Sequence, residues 1–265
     1  MARYAAEGAR VVCVTCTGGE HGEIVVPELD TPENHATLAE IRAVELKNAL
    51  ARLNPRIESR QLGYIDSGMM GTPENELPGT FWQASMDEAV GRLLEIVREV
   101  RPQVIVGYND FGGYGHPDHI RAGLIAKAAF EATGGEPGAP VKLYETAGGS
   151  RRREEVQKRA EERGVKSWWS DTNEETEEQK AERAAFMKQM ADAQGPVTTV
   201  IDVANWIPNK LAALREHVTQ LPADGFFLAL TEADWIELMP VEEFTLKVAR
   251  TGVRLPEDDL FAGLR

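Results

Sequence analysis

The chain has 265 residues, 43 of them acidic and 29 basic, and its formal net charge is −14. This balance argues against nucleic acids and anionic membrane surfaces as partners, because both require clustered Lys and Arg. The sequence contains no run of about 18 apolar residues and therefore predicts no membrane span. Residues 1–4 do not have the pattern expected at the start of a signal peptide. We therefore expect a cytoplasmic globular protein whose partner is a small molecule. No feature of the sequence indicates an oligomeric state.

Hydrophobic periodicity and turn residues predict alternating strands and helices. Predicted strands cover 10–15, 57–62, 104–106, 141–146 and 198–203, and predicted helices cover 37–52, 86–100, 117–132, 181–193 and 207–220. The alternation predicts an α/β fold, with a mainly parallel sheet and helices on both of its faces. After residue 230 we expect only a short tail.

The chain opens on residues that are typical of the end of a helix. Residues 2–7 followed by Gly8 form a short helical pattern with a glycine cap. Because a parallel α/β domain usually begins with a strand, we expect that a first strand and its loop are missing from this sequence. We interpret residues 1–265 as one domain, with the charged stretch 151–188 as an insertion or lid.

The most informative motif is Gly-Gly-Tyr-Gly-His-Pro-Asp-His at residues 112–119. Pro117 suits the first turn of the predicted helix, which places His119 in that turn and His116 just before it. Both imidazoles can bind a metal or transfer a proton, and Asp118 can orient His116. Ligands of parallel sheets bind at the carboxyl ends of the strands, where this loop lies.

Other loops at the same sheet edge carry acidic residues. Glu20 and Glu23 follow the first predicted strand, Asp66 follows the next, and Asp110 precedes the motif. Carboxylates gathered there suit a metal ion or a polyol such as a sugar. Asp66 also suits a simple turn, since Asp, Ser and Gly all favour turns.

Several segments together resemble the PIG-L/LmbE family of zinc-dependent N-deacetylases and amidases. The matching segments are 14–23, 39–45, 66–72, 112–119, 210–220 and 259–264. The motif at 112–119 is the most specific of them. The resemblance implies a Rossmann-like fold and hydrolysis of the amide of an N-acyl glucosaminide, such as a mycothiol conjugate, by zinc-activated water.

The resemblance also implies a role for individual residues. His119 corresponds to a zinc ligand, and His116 to the imidazole that stabilises the tetrahedral intermediate or protonates the leaving amine. Asp118 corresponds to the carboxylate that orients this imidazole, and Tyr114 to a tyrosine that polarises the substrate carbonyl. The residues implied to hold sugar and inositol hydroxyls are Glu23, Arg42 and Asp66.

The sequence departs from the family at one motif. The family takes two further zinc ligands and its general base from a His-Pro-Asp-Asp motif that these 265 residues do not contain. A catalytic zinc normally has three protein ligands. We therefore expect weak zinc binding and little activity. Two alternatives stay open at this point: a sugar-binding relative without catalysis, and a different metal hydrolase or phosphoesterase.

Overall fold

The computed structural model describes residues 1–147, 153–165 and 176–265. The helices are α1 Ala2–Ala6, α2 Pro32–Ala36, α3 Leu38–Leu53, α4 Met86–Val100, α5 Pro117–Ala132, α6 Arg153–Glu162, α7 Glu177–Asp192, α8 Ile207–Leu214, α9 Phe226–Ala229 and α10 Glu232–Leu238. The strands are β1 Val12–Thr17, β2 Glu58–Tyr64, β3 Val104–Gly107, β4 Lys142–Ala147, β5 Thr199–Asp202 and β6 Val241–Ala249. None of the described helices is both long and apolar enough to cross a membrane.

The described residues fall into two compact units. The first comprises 1–66, 153–165 and 203–241, and the second comprises 67–147, 176–202 and 242–265. The stretch predicted as an insertion or lid contributes α6 to the first unit and α7 to the second. The tryptophans at 168 and 169, in the middle of that stretch, lie outside the described residues.

The first unit contains a parallel pair, β1 and β2, in a register that aligns Val12 with Glu58. The chain's first helix packs beside it, because Ala5 lies in a buried cluster with Leu50 of α3 and Ile57. Gly8 follows this helix with a positive φ of 97°, as expected for a glycine cap. The predicted helix end before the first strand is confirmed.

A second cluster in the same unit joins α6, α8 and α10 through Val156, Leu211 and Trp235. Charged groups reinforce it: Arg159 and Arg163 pair with the buried carboxylate of Asp234. Burial opposes this charge, but hydrogen bonds from Thr231 and Arg159 and the positive charge of Arg163 lower the pKa of Asp234 to about 2. The first helix of the charged stretch is therefore part of the core of this unit.

The second unit contains a four-stranded sheet in the order β3-β4-β6-β5. β3 and β4 run parallel, and β6 runs antiparallel to β4. The expectation of only a tail after residue 230 is wrong, because β6 lies inside the sheet. Phe244, Leu246 and Val248 alternate with Thr245 and Lys247, a pattern typical of a strand that could have identified it.

A buried polar network ties the segment around residue 257 to the sheet. The Lys142 side chain is fully buried, and its Nζ lies 2.5 Å from Oε1 of Glu257. The Tyr144 hydroxyl donates to Oε2 of Glu257 at 2.5 Å. The ion pair and hydrogen bonds compensate the burial of both charges, which would be costly if either stood alone.

The predicted helices 86–100 and 117–132 are confirmed with the same bounds, and the helix predicted at 181–193 begins earlier, at Glu177. The helix predicted to end at residue 220 ends at Leu214 instead. After Leu214 the backbone forms turns, in which the N–H groups of Glu216 and His217 donate to carbonyls three residues back, at 3.1 and 3.2 Å. Further on, the backbone N–H of Thr219 donates to the Glu45 carboxylate at 2.6 Å.

Candidate active site

The loop between β3 and α5 is folded by a buried asparagine. The Asn109 side-chain oxygen accepts hydrogen bonds from the backbone N–H groups of Phe111, at 3.1 Å, and Gly113, at 3.0 Å. Gly112 has a φ of 63° and lies against α5, so that an added Cβ would lie 2.6 Å from the Ile120 nitrogen. Only glycine fits there, and the tight turn brings the loop onto the helix start.

His116 caps the N-terminus of α5. Its backbone is extended, Pro117 occupies the first helical position, and its Nδ1 accepts the backbone N–H of Asp118 at 3.2 Å. An N–H group only donates, so Nδ1 of His116 holds a lone pair. In the neutral imidazole the proton is then on Nε2. His116 is thereby oriented as a proton donor at Nε2.

His119, one turn further on, has the opposite arrangement. Its ring stacks on Tyr108 with the centroids 4.3 Å apart and the planes at 10°. Its Nδ1 lies 3.1 Å from the Gly112 carbonyl oxygen, and a carbonyl only accepts, so Nδ1 carries the proton. In the neutral ring the lone pair is on Nε2, the arrangement typical of metal-binding histidines.

Tyr114 lies beside both imidazoles. Its ring is edge-on to His119 with centroids 5.0 Å apart, and 6.1 Å from the ring of His116. The two histidine rings are 5.1 Å apart. The structure thus brings together three of the residues singled out in the sequence, and Tyr114 remains 39% exposed, so that a ligand can reach it.

Asp118 is buried beneath this group. Its Oδ2 accepts the backbone N–H of Ser67 at 3.2 Å, and its ligand atoms lie within 4.8 Å of those of His116. The hydrogen bond to Nδ1 of His116 comes from the backbone N–H of Asp118 and not from its carboxylate. Asp66 directly precedes Ser67 in the chain, so the Asp66 carbonyl carbon is bonded to the Ser67 nitrogen whose N–H the Asp118 carboxylate accepts.

A second buried asparagine shapes the loop that follows Asp66. Asn75 donates from Nδ2 to the carbonyl oxygens of Ser67, at 2.5 Å, and Met69, at 3.1 Å. Its Oδ1 accepts the N–H of Gly71 at 2.8 Å. The Ser67 hydroxyl in turn accepts a hydrogen bond from the backbone N–H of Trp82 at 2.8 Å. These bonds fix the loop that presents the Ser67 N–H to Asp118.

In the first unit, the loops after β1 and β2 meet. Glu20 Oε2 accepts the backbone N–H of Asp66 at 2.9 Å, as the shared sheet edge predicted. Arg42 donates to the carbonyl oxygens of Gly19, at 2.9 Å, and Glu23, at 3.0 Å. Arg42 therefore clamps the glycine-rich turn, and the Glu23 residue is exposed.

Asp110, the other acidic candidate, pairs with Lys127. The hydrogen bond from Lys127 lowers the pKa of Asp110. Lys127 also lies 2.8 Å from Oε1 of Glu145. Asp110 is therefore engaged in a surface ion pair.

The sequence reasoning missed Tyr108, Asn109 and Asn75. Asn109 stands in Asn-Asp-Phe-Gly-Gly, a composition typical of side-chain-stabilised turns, and this signal could have identified it. Tyr108 and Asn75 carry no comparable local signal, because their partners are distant or depend on the loop conformation.

The fold and the site define an α/β protein that holds two differently oriented imidazoles in the loop at the carboxyl end of a parallel strand. The family model described as GlcNAc-PI de-N-acetylase (PIG-L) matches residues 1–130. A 1D-myo-inositol 2-acetamido-2-deoxy-alpha-D-glucopyranoside deacetylase from Thermobispora bispora is 41% identical over 100% of this chain and 92% of its own length. The chain belongs to the PIG-L family and is an amide-hydrolysing enzyme.

Solved structures agree on the fold. N,N'-diacetylchitobiose deacetylase from Pyrococcus horikoshii superposes with a TM-score of 0.52 at 19% identity, covering 92% of this chain and 75% of the deacetylase. The hydratase GalB from Pseudomonas putida gives 0.59 at 15% identity, covering 96% and 90%. The fold is therefore the Rossmann-like α/β fold of LmbE-type proteins. Since it also carries a hydratase, the fold does not by itself define the reaction.

Proposed function

We propose that this enzyme hydrolyses the amide of an N-acyl glucosaminide, with the N-acetylated glucosaminyl-inositol as the preferred substrate. The proposal is supported by the Thermobispora relative, whose name specifies this deacetylation and whose similarity spans the whole chain.

One observation carries the proposal: two imidazoles, 5.1 Å apart, are fixed in opposite tautomers. Amide hydrolysis needs an electrophile for the carbonyl and hydrogen-bond donors for the oxyanion that forms. His119 offers a lone pair at Nε2, which fits a metal ligand. His116 offers an N–H group at Nε2, which fits a hydrogen-bond donor to the tetrahedral intermediate.

Zinc is the metal we propose, with His119 as a ligand. Bound zinc would polarise the amide carbonyl and activate water. The chain's own residues would do the rest: the Tyr114 hydroxyl and the Nε2–H group of His116 would each donate a hydrogen bond to the developing oxyanion. The proton that the attacking water loses would pass to the leaving nitrogen, so that the hydrolysis balances. Asp118 holds the start of α5 in place through the Ser67 N–H.

The substrate-binding roles remain proposals of the same kind. Glu23, Arg42 and Asp66 would bind the hydroxyl groups of the sugar and inositol rings. The clamp by Arg42 on the Glu23 carbonyl supports a shared role for these two, because it fixes the backbone that carries the Glu23 side chain. Since the 265 residues lack a His-Pro-Asp-Asp motif, we also propose that this chain holds zinc weakly and turns over slowly.

The test is an assay at high enzyme concentration with added zinc. Release of free amine would be measured from N-acetylglucosaminyl-inositol and from a mycothiol S-conjugate, and phosphate release from p-nitrophenyl phosphate. We expect slow, zinc-dependent amine release, fastest with the first substrate, and its loss in His119→Ala. The control variant is His35→Gln, which alters an exposed residue paired with Asp30.

The other outcomes are distinct. Binding of the sugar without amine release at any zinc concentration would favour a non-catalytic sugar-binding protein. Phosphate release without amine release would favour a phosphoesterase. One tightly bound zinc per purified chain would contradict the weak metal binding proposed here.

A further inference from the structure

Outside the histidine pair, the first unit contains a buried carboxylate with a complete set of partners. Glu45, on α3, is buried, and its Oε1 accepts the backbone N–H of Thr219 at 2.6 Å. Its Oε2 accepts the Thr219 hydroxyl and the Gln220 side-chain amide, each at 3.0 Å. Such a satisfied network fixes its members in one geometry.

The network determines which way the Gln220 amide faces. A carboxylate only accepts hydrogen bonds, so the amide nitrogen, and not the oxygen, faces Glu45. The same nitrogen lies 3.2 Å from Nδ1 of His217. Because an amide nitrogen donates, Nδ1 of His217 accepts and holds the lone pair. In the neutral ring the proton of His217 is therefore on Nε2.

The His217 ring is also kept neutral. Burial lowers the pKa of His217, with Arg42 acting in the same direction and Glu45 and Glu216 opposing. The ring is only half-buried, so ligands can reach it from solvent. A neutral N–H donor suits a hydroxyl oxygen, whereas a lone pair would suit a metal.

The position of His217 links it to the loop after β1 in this unit. The Val25 N–H donates to the Thr219 carbonyl at 2.9 Å, which joins the His217 segment to the loop after β1. Arg42, which influences the charge of His217, clamps that loop at the Gly19 and Glu23 carbonyls.

We propose that His217 donates a hydrogen bond from Nε2 to a hydroxyl group of a polyol ligand, and that Gln220 and Glu45 are positioning residues that fix its tautomer. The polyol is the inositol or sugar ring of the proposed substrate, so this inference rests on the proposed function for its ligand. The tautomer and its cause rest on the contacts of the first unit alone.

Nuclear magnetic resonance of the chain labelled with 15N-histidine tests the tautomer directly. With five histidines, each ring can be assigned from a His→Gln variant. We expect a lone-pair nitrogen at Nδ1 and a protonated nitrogen at Nε2 of His217. Titration with myo-inositol should shift Nε2 of His217, and zinc should not. A protonated Nδ1, or no inositol shift up to the solubility limit, would overturn the proposal.

Matched variants of His217 separate the loss of its hydrogen-bond donor from the loss of its packing. A glutamine amide reaches the place of Nε2, and an asparagine amide reaches only that of Nδ1. His217→Gln should therefore keep the inositol dissociation constant and the KM within about threefold, and His217→Asn should raise both about tenfold with kcat unchanged, as for the loss of one hydrogen bond. Gln220→Met should raise them less and mix the two tautomers.

These measurements also separate the two proposals. If no amine release is found with any substrate but the tautomer and the inositol shift are as expected, the proposed reaction fails and the binding role of His217 stands. If amine release is found and His217→Asn leaves both the dissociation constant and KM unchanged, the role of His217 fails alone. His35→Gln is the control for both assays.

Discussion

The loop at 108–119 and the network around Glu45 fix imidazoles by different means. In the loop, each histidine bonds to backbone groups at most seven positions away: His116 to Asp118 and His119 to Gly112. In the network, Glu45 and Thr219 are 174 positions apart, and the tautomer of His217 depends on them through Gln220. A short motif can thus orient its imidazoles locally, whereas the orientation of His217 depends on the completed fold.

The variant with the largest expected effect is His116→Ala, which removes the proposed oxyanion donor from the loop at 108–119. Loss of one oxyanion donor typically costs about 10²- to 10³-fold in kcat, so we expect kcat to fall about a hundredfold or more with little change in KM. Amine release under saturating substrate measures it. If the His116 variant raised KM as His217→Asn does and retained kcat, the loop at 108–119 and the network around Glu45 would both act only on substrate binding.

A glycine pair compares the rigidity of the loop at 108–119 with that of the loop after β1, which Arg42 clamps. Gly112→Ala forces a Cβ against backbone, 2.6 Å from the Ile120 nitrogen, whereas Gly19→Ala meets the end of the flexible Arg42 side chain, also at 2.6 Å. Both have positive φ, which costs an alanine about 1–2 kcal/mol. Overpacking adds about 1–3 kcal/mol where the neighbours cannot move. Urea unfolding should therefore show the larger loss for Gly112→Ala, and equal losses would contradict the difference.

The variant Asn75→Ala tests whether the loop that presents the Ser67 N–H to Asp118 also depends on buried hydrogen bonds. The substitution leaves the carbonyl oxygens of Ser67 and Met69 and the N–H of Gly71 without this partner. Unsatisfied buried groups cost about 1–3 kcal/mol each, and we expect a total loss near 2–3 kcal/mol because water can reach part of the loop. The control is Asn48→Ala, which alters an exposed residue of α3. Loss of activity without loss of stability would indicate direct ligand contact by Asn75.

The smallest expected effect is a pH dependence from His217. Its folded pKa is lowered by burial from 6.5, so the unfolded chain binds the proton more readily. The stability it contributes is complete above pH 6.5 and is lost as the pH falls toward the folded pKa. His217→Gln should therefore flatten the curve of unfolding free energy below pH 6.5, and an unchanged slope would contradict the neutral ring.

Much of the fold could be predicted from the sequence, because strong helical periodicity and clear turn residues agree at α4 and α5. The strand β6 could have been predicted as well, since Phe244, Leu246 and Val248 alternate with Thr245 and Lys247. The bonds of Thr219 and Gln220 to Glu45 could not, because these residues are 174 and 175 positions away from it. Local patterns carry no information about partners so distant in the chain.

The same division holds for the site. The proximity of Tyr114, His116 and His119 follows from their spacing at a helix start, and the geometry agrees. Arg42 stands in a helix and is typical of a surface residue, so only the family resemblance singles it out. No local pattern marks the pairing of Gln220 with His217, because the amide orientation is set by a carboxylate on another helix.

The buried pair of Lys142 and Glu257 has a consequence for synthesis. The two residues are 115 positions apart, and Lys142 starts a strand inside the four-stranded sheet. A buried ammonium without its carboxylate is strongly unfavourable. During translation, therefore, this sheet can close only after Glu257 has left the ribosome, whereas every described residue of the first unit has by then been made. We infer that the second unit, which carries the histidine pair, completes its folding last.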